Sequence, residues 1–266
     1  CTSSINFCTN FGFNKVFNEV HNLSVNAVYE ANTNKYETFG QEYSQFNTDL
    51  GWEGIYDAKS GNHVKSPTVG YEKVAMLSGV FMANYSYKGR YLLKASMRAD
   101  GSSKFSPDNR WGFFPSGAIG WRVSDENFFK NVSWLKKNVD NLKLRFSYGQ
   151  VGNDQIASYA YAQTLASSSR QAVFGDGTIS ALYTNRMANP DISWEVTEEF
   201  NGGLDLDMFN NRLNISVDLY TKKTKDMLLE QNLPRMSGFS KVTRNIGSVR
   251  NLSLIHISEP TRLALI

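Results

Sequence analysis

Four carboxylates on one stretch of the chain are the residues best suited to catalysis. Glu195, Glu199, Asp205 and Asp207 all occupy odd positions, so on an extended strand they share one face. Two carboxylates can act together in glycoside hydrolysis when their carboxyl groups lie roughly 5 to 9.5 Å apart. Glu195 and Glu199 are about 13 Å apart at strand rise, and the backbones of Asp205 and Asp207 about 7 Å. We favour a solvated wall over a glycosidase pair.

The remaining reactive residues show no arrangement typical of a catalytic or metal site. His21, His63 and His256 are scattered and lack the spacing of metal ligands, and no nucleophile elbow or phosphate-binding loop is present. Residues 100–104, DGSSK, offer oxygen atoms to calcium but lack the further acidic ligands of an EF-hand loop, so a turn capped by Asp is favoured. We therefore expect no catalytic, cofactor-binding or metal-binding residue, no cofactor, and no enzymatic activity.

Composition narrows the functional class further. The chain has 266 residues, is 41% hydrophobic and carries a net charge of +3, which excludes disorder and argues against a nucleic-acid partner. Cys1 and Cys8 would be about 23 Å apart on a strand, whereas a disulfide needs Cα atoms within roughly 7 Å. Two unpaired thiols are expected. No run of 18 apolar residues predicts a membrane-spanning helix, although strands of a membrane barrel would not show one.

A two-residue alternation of apolar and polar side chains indicates the elements that would position these residues. It is clearest from Tyr91 to Asp100, where apolar residues alternate with Lys94 and Arg98, and it returns at 142–148 and 213–219. Successive residues of a strand point to opposite faces, so each segment has one apolar face and one polar face. We expect the polar face to carry the basic residues Lys94, Arg98, Lys143 and Arg145 beside the carboxylates.

The pattern predicts about ten strands, several of them long enough for a tilted membrane crossing of about 9–11 residues. They are 5–13, 22–30, 73–87, 91–100, 115–124, 142–149, 156–165, 192–208, 213–223 and 241–250. Short turns at 88–90 and 209–212 fall at one end of these strands, together with segment 125–141 and its brief helix around 134–138. Long connections at 31–70, 101–114, 150–191 and 224–240 fall at the other end. Alternation alone fits a soluble β-sandwich or a membrane barrel, but strand length and this asymmetry favour the barrel.

Two features interrupt the alternation at 192–208. Glu198 falls on the apolar face with Trp194 and Phe200. Because charge on a lipid-facing surface is costly near the bilayer midplane and cheap near its interfaces, we predict that Glu198 lies outside the hydrocarbon band. Gly202 and Gly203 indicate either a bulge or close approach by other groups, or packing relief at a bend, and we favour packing relief at a bend.

The long connections are where contact with a substrate is expected. They are rich in aromatic side chains, which pack on apolar ligand surfaces such as sugar rings, although the same rings could only pack the loops together. The aromatic residues concerned are Tyr43, Phe46, Trp52, Tyr56, Tyr159, Tyr161 and Phe174.

Specific strings in the sequence carry a family resemblance. They are KASMRADGSSKFSPDNRWGFFPSGAIGWRVSDENFF from residue 94, LKLRFSYGQVGNDQIASY from 142, NPDISWEVTEEFNGGLDLDMFNNRL from 189, TKDML from 224, and HNLSVNAVYE from 21. In their order along the chain they resemble the carboxyl-terminal half of the barrel of SusC/RagA-type TonB-linked outer-membrane transporters. The resemblance implies a 22-stranded barrel with a separate plug, located in the Gram-negative outer membrane. It also implies uptake of oligosaccharides or peptides, a SusD-like surface lipoprotein as partner, and coupling to the TonB complex.

The chain also departs from this family. It contains no plug domain and no TonB-contacting segment, so residues 1–251 are expected to form a partial barrel domain, an open curved antiparallel sheet with two free edges. Residues 252–266 leave the family pattern, and LSLIHISEPTR resembles the translation of a transposon-based sequencing-library adapter. We expect this tail to be non-native. The alternatives are a different outer-membrane barrel, either a metal-chelate receptor or a porin, and a secreted soluble β-sandwich that binds glycans.

Overall fold

A computed structural model describes residues 1–46, 61–64, 68–174, 177–184, 186–239 and 241–260. Nine long strands form the main sheet: β1 Thr2–Phe17, β2 His21–Gly40, β5 Thr68–Tyr87, β6 Tyr91–Ser102, β7 Trp111–Arg122, β8 Val139–Asn153, β11 Glu195–Met208, β12 Leu213–Lys225 and β15 Val249–Pro260. Six shorter strands pair as hairpins beyond the sheet: β3 Tyr43–Phe46, β4 Gly61–Val64, β9 Leu165–Phe174, β10 Gly177–Thr184, β13 Leu228–Asn232 and β14 Lys241–Asn245. Two short helices, α1 Asn127–Lys130 and α2 Ser133–Asn138, join β7 to β8.

The main sheet is antiparallel and unclosed. Its strand order is β1-β2-β5-β6-β7-β8-β11-β12-β15, which is also the order along the chain. Within the described residues β1 pairs only with β2 and β15 only with β12, so both edges are free. The predicted all-β architecture and open sheet are confirmed. Among the described residues no helix is long and apolar enough to cross a membrane.

The connections alternate between short and long, as the sequence predicted. Residues 18–20, 88–90 and 209–212 make tight turns at one end of the sheet, and α1 and α2 lie at the same end. Phe209, Asn210 and Asn211 each have φ of 58°, and Lys88 and Gly89 also adopt left-handed backbone. Asn and Gly tolerate this conformation better than other residues, which explains why Gly89, Asn210 and Asn211 occur in these turns. We call the two ends the short-turn end and the long-loop end.

The apolar face of the sheet is uncovered in the described part of the chain. Large apolar side chains such as Phe11, Phe81, Ile119, Phe146 and Leu219 remain more than half exposed on it. The chain exposes 18816 Å² of surface, whereas a compact monomer of this length would expose about 11,700 Å². A β-sandwich would bury these side chains against a second sheet. The described residues therefore do not form a β-sandwich among themselves.

Two predicted strands are corrected. Segment 156–165 forms turns and irregular structure up to its last residue, which begins β9. Ala160 belongs to a buried apolar cluster on which Ile156 packs, and Tyr159 has a left-handed backbone with φ of 59°, which interrupts a strand. Segment 241–250 is divided between β14 and β15, with Gly247 at φ of 88° between them. Several other strands are longer than predicted; β2, for example, continues to Gly40.

Candidate functional site

A charged cluster lies on the polar face toward the short-turn end. Arg145 of β8 lies 2.8 Å through Nε from Asp205 of β11 and donates from Nη2 to the same carboxylate at 2.9 Å. Nη2 also donates to Asp218 of β12 at 3.2 Å, and the Ser216 hydroxyl donates to Asp205 at 3.0 Å. We call Arg145, Asp205, Ser216 and Asp218 the charged cluster. One guanidinium thus links three strands, which confirms the predicted mixture of basic and acidic groups on this face.

Gly203 makes this arrangement possible. In the register of the sheet it lies between Arg145 and Asp218, its direct partners on either side. A Cβ atom at Gly203 would lie 2.6 Å from an oxygen of Asp218 and 2.9 Å from the guanidinium carbon of Arg145. The glycine therefore serves a close approach of two charged side chains, and our preference for packing relief at a bend was wrong for this residue. Gly202 is on the opposite face, beside the ring of Phe146 at 3.7 Å.

Glu195 and Asp207 of β11 have structural partners, whereas Glu199 is exposed. Glu195 accepts hydrogen bonds from the backbone N–H of Leu228 at 3.0 Å and from Asn153 at 3.3 Å. Asp207 accepts one from Asn141 at 3.0 Å. These contacts join β11 to its neighbours, which agrees with the solvated wall that we favoured over a glycosidase pair.

Residues 100–102 of the DGSSK segment belong to β6, and the turn begins at residue 103. Both oxygens of Asp100, which is 4% exposed, accept hydrogen bonds from Nε of Arg98, at 2.9 and 2.7 Å. The fully buried hydroxyl of Ser102 donates to Asp154 at 2.8 Å, and Lys104 donates to the Asp154 carbonyl at 3.0 Å. The Asp100 carboxylate is therefore neutralised by Arg98 within β6, whereas Ser102 and Lys104 fix the turn through Asp154. The expected cap of the turn by Asp100 is wrong. Among the described residues no group of three or more potential metal ligands is found.

A small apolar cluster holds the long connections together at the long-loop end. Its members, which we call the loop core, are Phe105, Phe114, Ala160, Ile192 and Trp194. Trp194 is 6% exposed; its ring lies 5.0 Å from that of Phe105 and 5.5 Å from that of Phe114, and its indole N–H donates to the carbonyl of Arg110 at 3.0 Å. Our sequence analysis did not find this cluster. The sequence feature that could have indicated the loop core is the presence of bulky apolar residues in these connections, because a solvated loop does not require such residues.

Polar side chains add further links between the same connections. Ser106 donates to the carbonyl of Pro190 at 2.8 Å, joining the β6–β7 connection to the segment before β11. Asn245 accepts from the backbone N–H of Ser193 at 2.9 Å and donates to the carbonyls of Ser193 and Asp226 at 2.8 Å each. Three connections that are distant in sequence are thus fixed against one another around the loop core.

The loop aromatics predicted for substrate contact are only partly described. Tyr159 is 40% exposed and its hydroxyl donates to the carbonyl of Lys73 at 3.5 Å, whereas Tyr161 is half-buried. Trp52 and Tyr56 lie outside the described residues, as do the side chains of Tyr43, Phe46 and Phe174. A role in binding stays a prediction for all of them.

Glu198 lies on the apolar face at the long-loop end. Its carboxylate lies 2.7 Å from Nζ of Lys225 and accepts a hydrogen bond from Gln150 at 3.2 Å. The side-chain amide of Gln150 also donates a hydrogen bond to the hydroxyl of Tyr148 at 2.7 Å. Glu198, Lys225 and Gln150 thus form a polar group on the apolar face at the long-loop end, as expected for residues outside a hydrocarbon band. The depth of Glu198 in the membrane stays a prediction.

Glu126 organises the short-turn end. Its carboxylate accepts hydrogen bonds from the Tyr91 hydroxyl at 2.6 Å and the Trp121 indole at 3.3 Å, and Arg90 lies 3.5 Å away. The hydrogen bond from Tyr91, supported by Trp121 and Arg90, holds the pKa of Glu126 below its ordinary value of 4.5. The side chain is therefore a carboxylate at neutral pH and ties the start of β6 to the end of β7.

Comparison with known proteins identifies the architecture. The sequence model of the TonB dependent receptor-like, beta-barrel family matches residues 3–252. TonB-dependent receptor P3 of Formosa agariphila is 37% identical over 252 residues, which cover 94% of this chain and 24% of that protein. TonB-dependent receptor SusC of Bacteroides thetaiotaomicron is 32% identical over 248 residues, or 90% of this chain and 24% of that protein.

A solved structure shows the same fold. The RagAB peptide importer in its closed-closed state superposes with a TM-score of 0.85 at 27% identity, over 99% of this chain and 28% of the matched chain. The chain spans about a quarter of the length of the relatives it matches. The nine-stranded sheet is therefore a section of barrel wall, and the chain belongs to the TonB-dependent receptor-like β-barrel family.

Proposed function

We propose that this chain forms part of the wall and outer loops of a transporter that imports oligosaccharides or peptides across the Gram-negative outer membrane. The observation that carries the proposal is the uncovered apolar face, which extends across all nine strands of the main sheet. Acyl chains would cover such a face, and polar side chains on the other face would border an aqueous interior. The similarity to a peptide importer and to SusC supports the transported class.

The two ends of the sheet suit different sides of the membrane. Short turns at one end and long connections at the other are typical of outer-membrane barrels, whose long loops face the exterior. The loop core would keep the external connections in a fixed arrangement around the entrance, and the charged cluster would lie deeper on the inner wall. The chain itself would supply positioning and no catalysis.

The proposed partners follow from the family and from the matched relatives. The full-length protein would pair with a SusD-like surface lipoprotein and be energised by the TonB complex through segments that this chain does not contain. The matched structure is that of the RagAB peptide importer, and this similarity supports assembly of the full-length protein into an importer. Outer-membrane lipid would be the third partner, in contact with the apolar face.

Uptake measurements test this proposal. Cells that lack the gene for the full-length protein would be compared with complemented cells for uptake of fluorescent oligosaccharide and peptide mixtures, with and without a protonophore. We expect complementation to restore uptake of one class and the protonophore to stop it. Uptake that resists the protonophore would favour a passive porin, and uptake restored only for a metal chelate would favour a chelate receptor.

We further infer that residues 252–266 do not belong to the native barrel. The register of β15 supports this, because Ile255 and Ile257 pair with Asp218 and Ser216 on the polar face, while His256 pairs with Val217 on the apolar face. Residues 255–257 thus invert the alternation that the rest of the sheet follows, whereas Leu252 and Leu254 still lie on the apolar face. Resequencing of the parent genomic DNA tests the inference: native DNA that encodes the same tail would refute it.

A further inference from the structure

The segment between β7 and β8 exposes an unusual set of apolar side chains. It comprises residues 123–138, which include α1 and α2, and we call it the anchor segment. Phe128 is 57% exposed, Val132 47% and Trp134 62%. Three large apolar side chains within seven residues, outside any strand, form a patch that a solvated turn does not require.

The anchor segment is continuous with the apolar face of the sheet. The ring of Phe128 lies 6.4 Å from that of Trp121. Trp121 is the register partner of Tyr91 on β6, and Ile119, two residues earlier on the same face, is exposed beside Leu93. The outward surface of the wall therefore continues without interruption onto Phe128.

The anchor segment is held rigidly in this position. Phe129 is buried beneath it, and Glu126 at the start of α1 binds Tyr91 and Trp121. At its other end, the carbonyl of Asn138 accepts a hydrogen bond from the backbone N–H of Phe209 at 2.9 Å. The exposed side chains are therefore presented by a fixed scaffold.

Cationic side chains accompany the exposed apolar residues. Lys130, Lys136 and Lys137 are all exposed. Lys130 lies 3.9 Å from Asp125, which also lies 3.5 Å from Arg122. Within the part of the chain that the structure describes, Lys136 and Lys137 make no ion pair. The segment therefore combines aromatic rings with free positive charge.

We propose that the anchor segment lies in the membrane interface at the short-turn end, where Phe128, Val132 and Trp134 enter the boundary between headgroups and acyl chains. Lys136 and Lys137 bind the phosphates of anionic phospholipids. Amphipathic segments with aromatic and basic residues bind such surfaces, and Trp prefers this depth. Lysine contributes attraction to an anionic surface and can extend its ammonium group toward the headgroups.

Two other occupants fit the geometry less well. The missing parts of the barrel wall would join at β1 and β15, whereas the anchor segment connects β7 and β8, the fifth and sixth of nine strands. A domain inside the barrel would approach from the polar face, whereas Phe128 packs on Trp121 of the apolar face. The proposal depends on the membrane position of the barrel, as proposed above, but not on the transported molecule.

Site-directed fluorescence tests the depth of the anchor segment. In the full-length protein, with its native cysteines replaced by serine, Val132→Cys would carry an environment-sensitive fluorophore. Met236→Cys, fully exposed at the long-loop end, is the matched control. Both variants would be placed in lipid nanodiscs that contain phosphatidylcholine with a nitroxide on its headgroup. We expect strong quenching at residue 132, little at residue 236, and the reverse order with iodide in the aqueous phase.

A second measurement tests the role of the lysines. Quenching at residue 132 by headgroup-labelled phosphatidylglycerol, relative to labelled phosphatidylcholine, reports the local preference for anionic lipid. We expect Lys136→Gln with Lys137→Gln to lower this preference, by up to about fivefold for each lysine. The control pair, Lys222→Gln with Lys223→Gln at the long-loop end, should leave it unchanged.

Three results would overturn the proposal. Residue 132 could be quenched by iodide as readily as residue 236, which would place the anchor segment in water. It could be reached by neither quencher, which would place it beneath another part of the full-length protein. The lysine variants could retain the wild-type lipid preference, which would remove the headgroup contact. None of these results depends on uptake, so a failure here is distinguishable from a failure of the transport proposal.

Discussion

Replacement of Trp194 by alanine should release the external connections without unfolding the barrel wall. Trp194 is 6% exposed, contacts the rings of Phe105 and Phe114, and donates to the carbonyl of Arg110. Truncation of a buried tryptophan to alanine costs about 3–5 kcal/mol through lost burial and the remaining cavity. Because the contacts of this side chain all lie at the long-loop end, we expect this cost to appear as local opening of the connections.

Hydrogen–deuterium exchange of the full-length protein in nanodiscs is the suitable measurement. A change of 1.4 kcal/mol is tenfold in an equilibrium constant, so protection in the connections should fall by roughly 10²- to 10³-fold. The amides of Asn109 and Ala160, which bond to Ser106 and Ala157 within these connections, are the reporters. Amides of β8 near Leu144 should keep their protection.

Trp111→Ala provides the matched control. Trp111 is 48% exposed on the apolar face at the start of β7, so its removal should leave the protection of Asn109 and Ala160 nearly unchanged. If Trp194→Ala also left these amides protected, the loop core would not be what holds the connections. A loss of protection spread equally over β8 would show that the cluster supports the whole wall instead.

Three further predictions concern the charged cluster and the short-turn end. Gly203→Val should destabilise the wall by about 1–3 kcal/mol, because its Cβ would clash with Asp218 and Arg145; chemical unfolding in detergent measures this, and an unchanged midpoint would contradict it. Arg145→Gln should cost about 1–2 kcal/mol by leaving Asp205 and Asp218 beside each other, a cost reduced by their partial exposure. When Asp205→Asn is added to the Arg145→Gln variant, the same unfolding assay should show that part of the lost stability is restored. For Glu126, whose pKa is lowered, the stabilisation is complete above pH 4.5 and is lost as pH falls through the lower folded value. Thermal unfolding of Glu126→Gln should therefore be less sensitive to acid than that of the wild type; equal sensitivity would contradict the assignment.

The alternation pattern predicted most of the fold. Tyr91 to Asp100 and residues 213–219 appear as strands with the expected faces, and the turns at 88–90 and 209–212 are where the sequence placed them. Segment 156–165 was wrongly predicted as a strand, because the same spacing of apolar residues also allows Ile156 and Ala160 to pack in the loop core. A pattern of apolar positions cannot distinguish a strand from a turn segment that packs on a cluster when the residues of that cluster lie far away in sequence.

The candidate site was predicted in type but not in arrangement. Basic and acidic residues were expected on one face, and Arg145 and Asp205 are found there. The close approach at Gly203 was considered but not favoured, because a glycine within a strand has the same sequence signature at a bend and beneath crossing side chains. The loop core was missed entirely, since its members come from β7 and from connections that are distant in sequence, and Ala160, Ile192 and Trp194 had been placed in predicted strands.

By itself the sequence determined which face of each strand is apolar and where the tight turns fall. Both are local properties, because a strand alternates its side chains at every residue and a left-handed turn depends on its own residues. Only the tertiary structure decided that Arg145 links Asp205 to Asp218 and that Trp194 meets Phe105. Such contacts depend on the register between strands and on the packing of distant connections, which are set by long-range pairing and not by any local pattern.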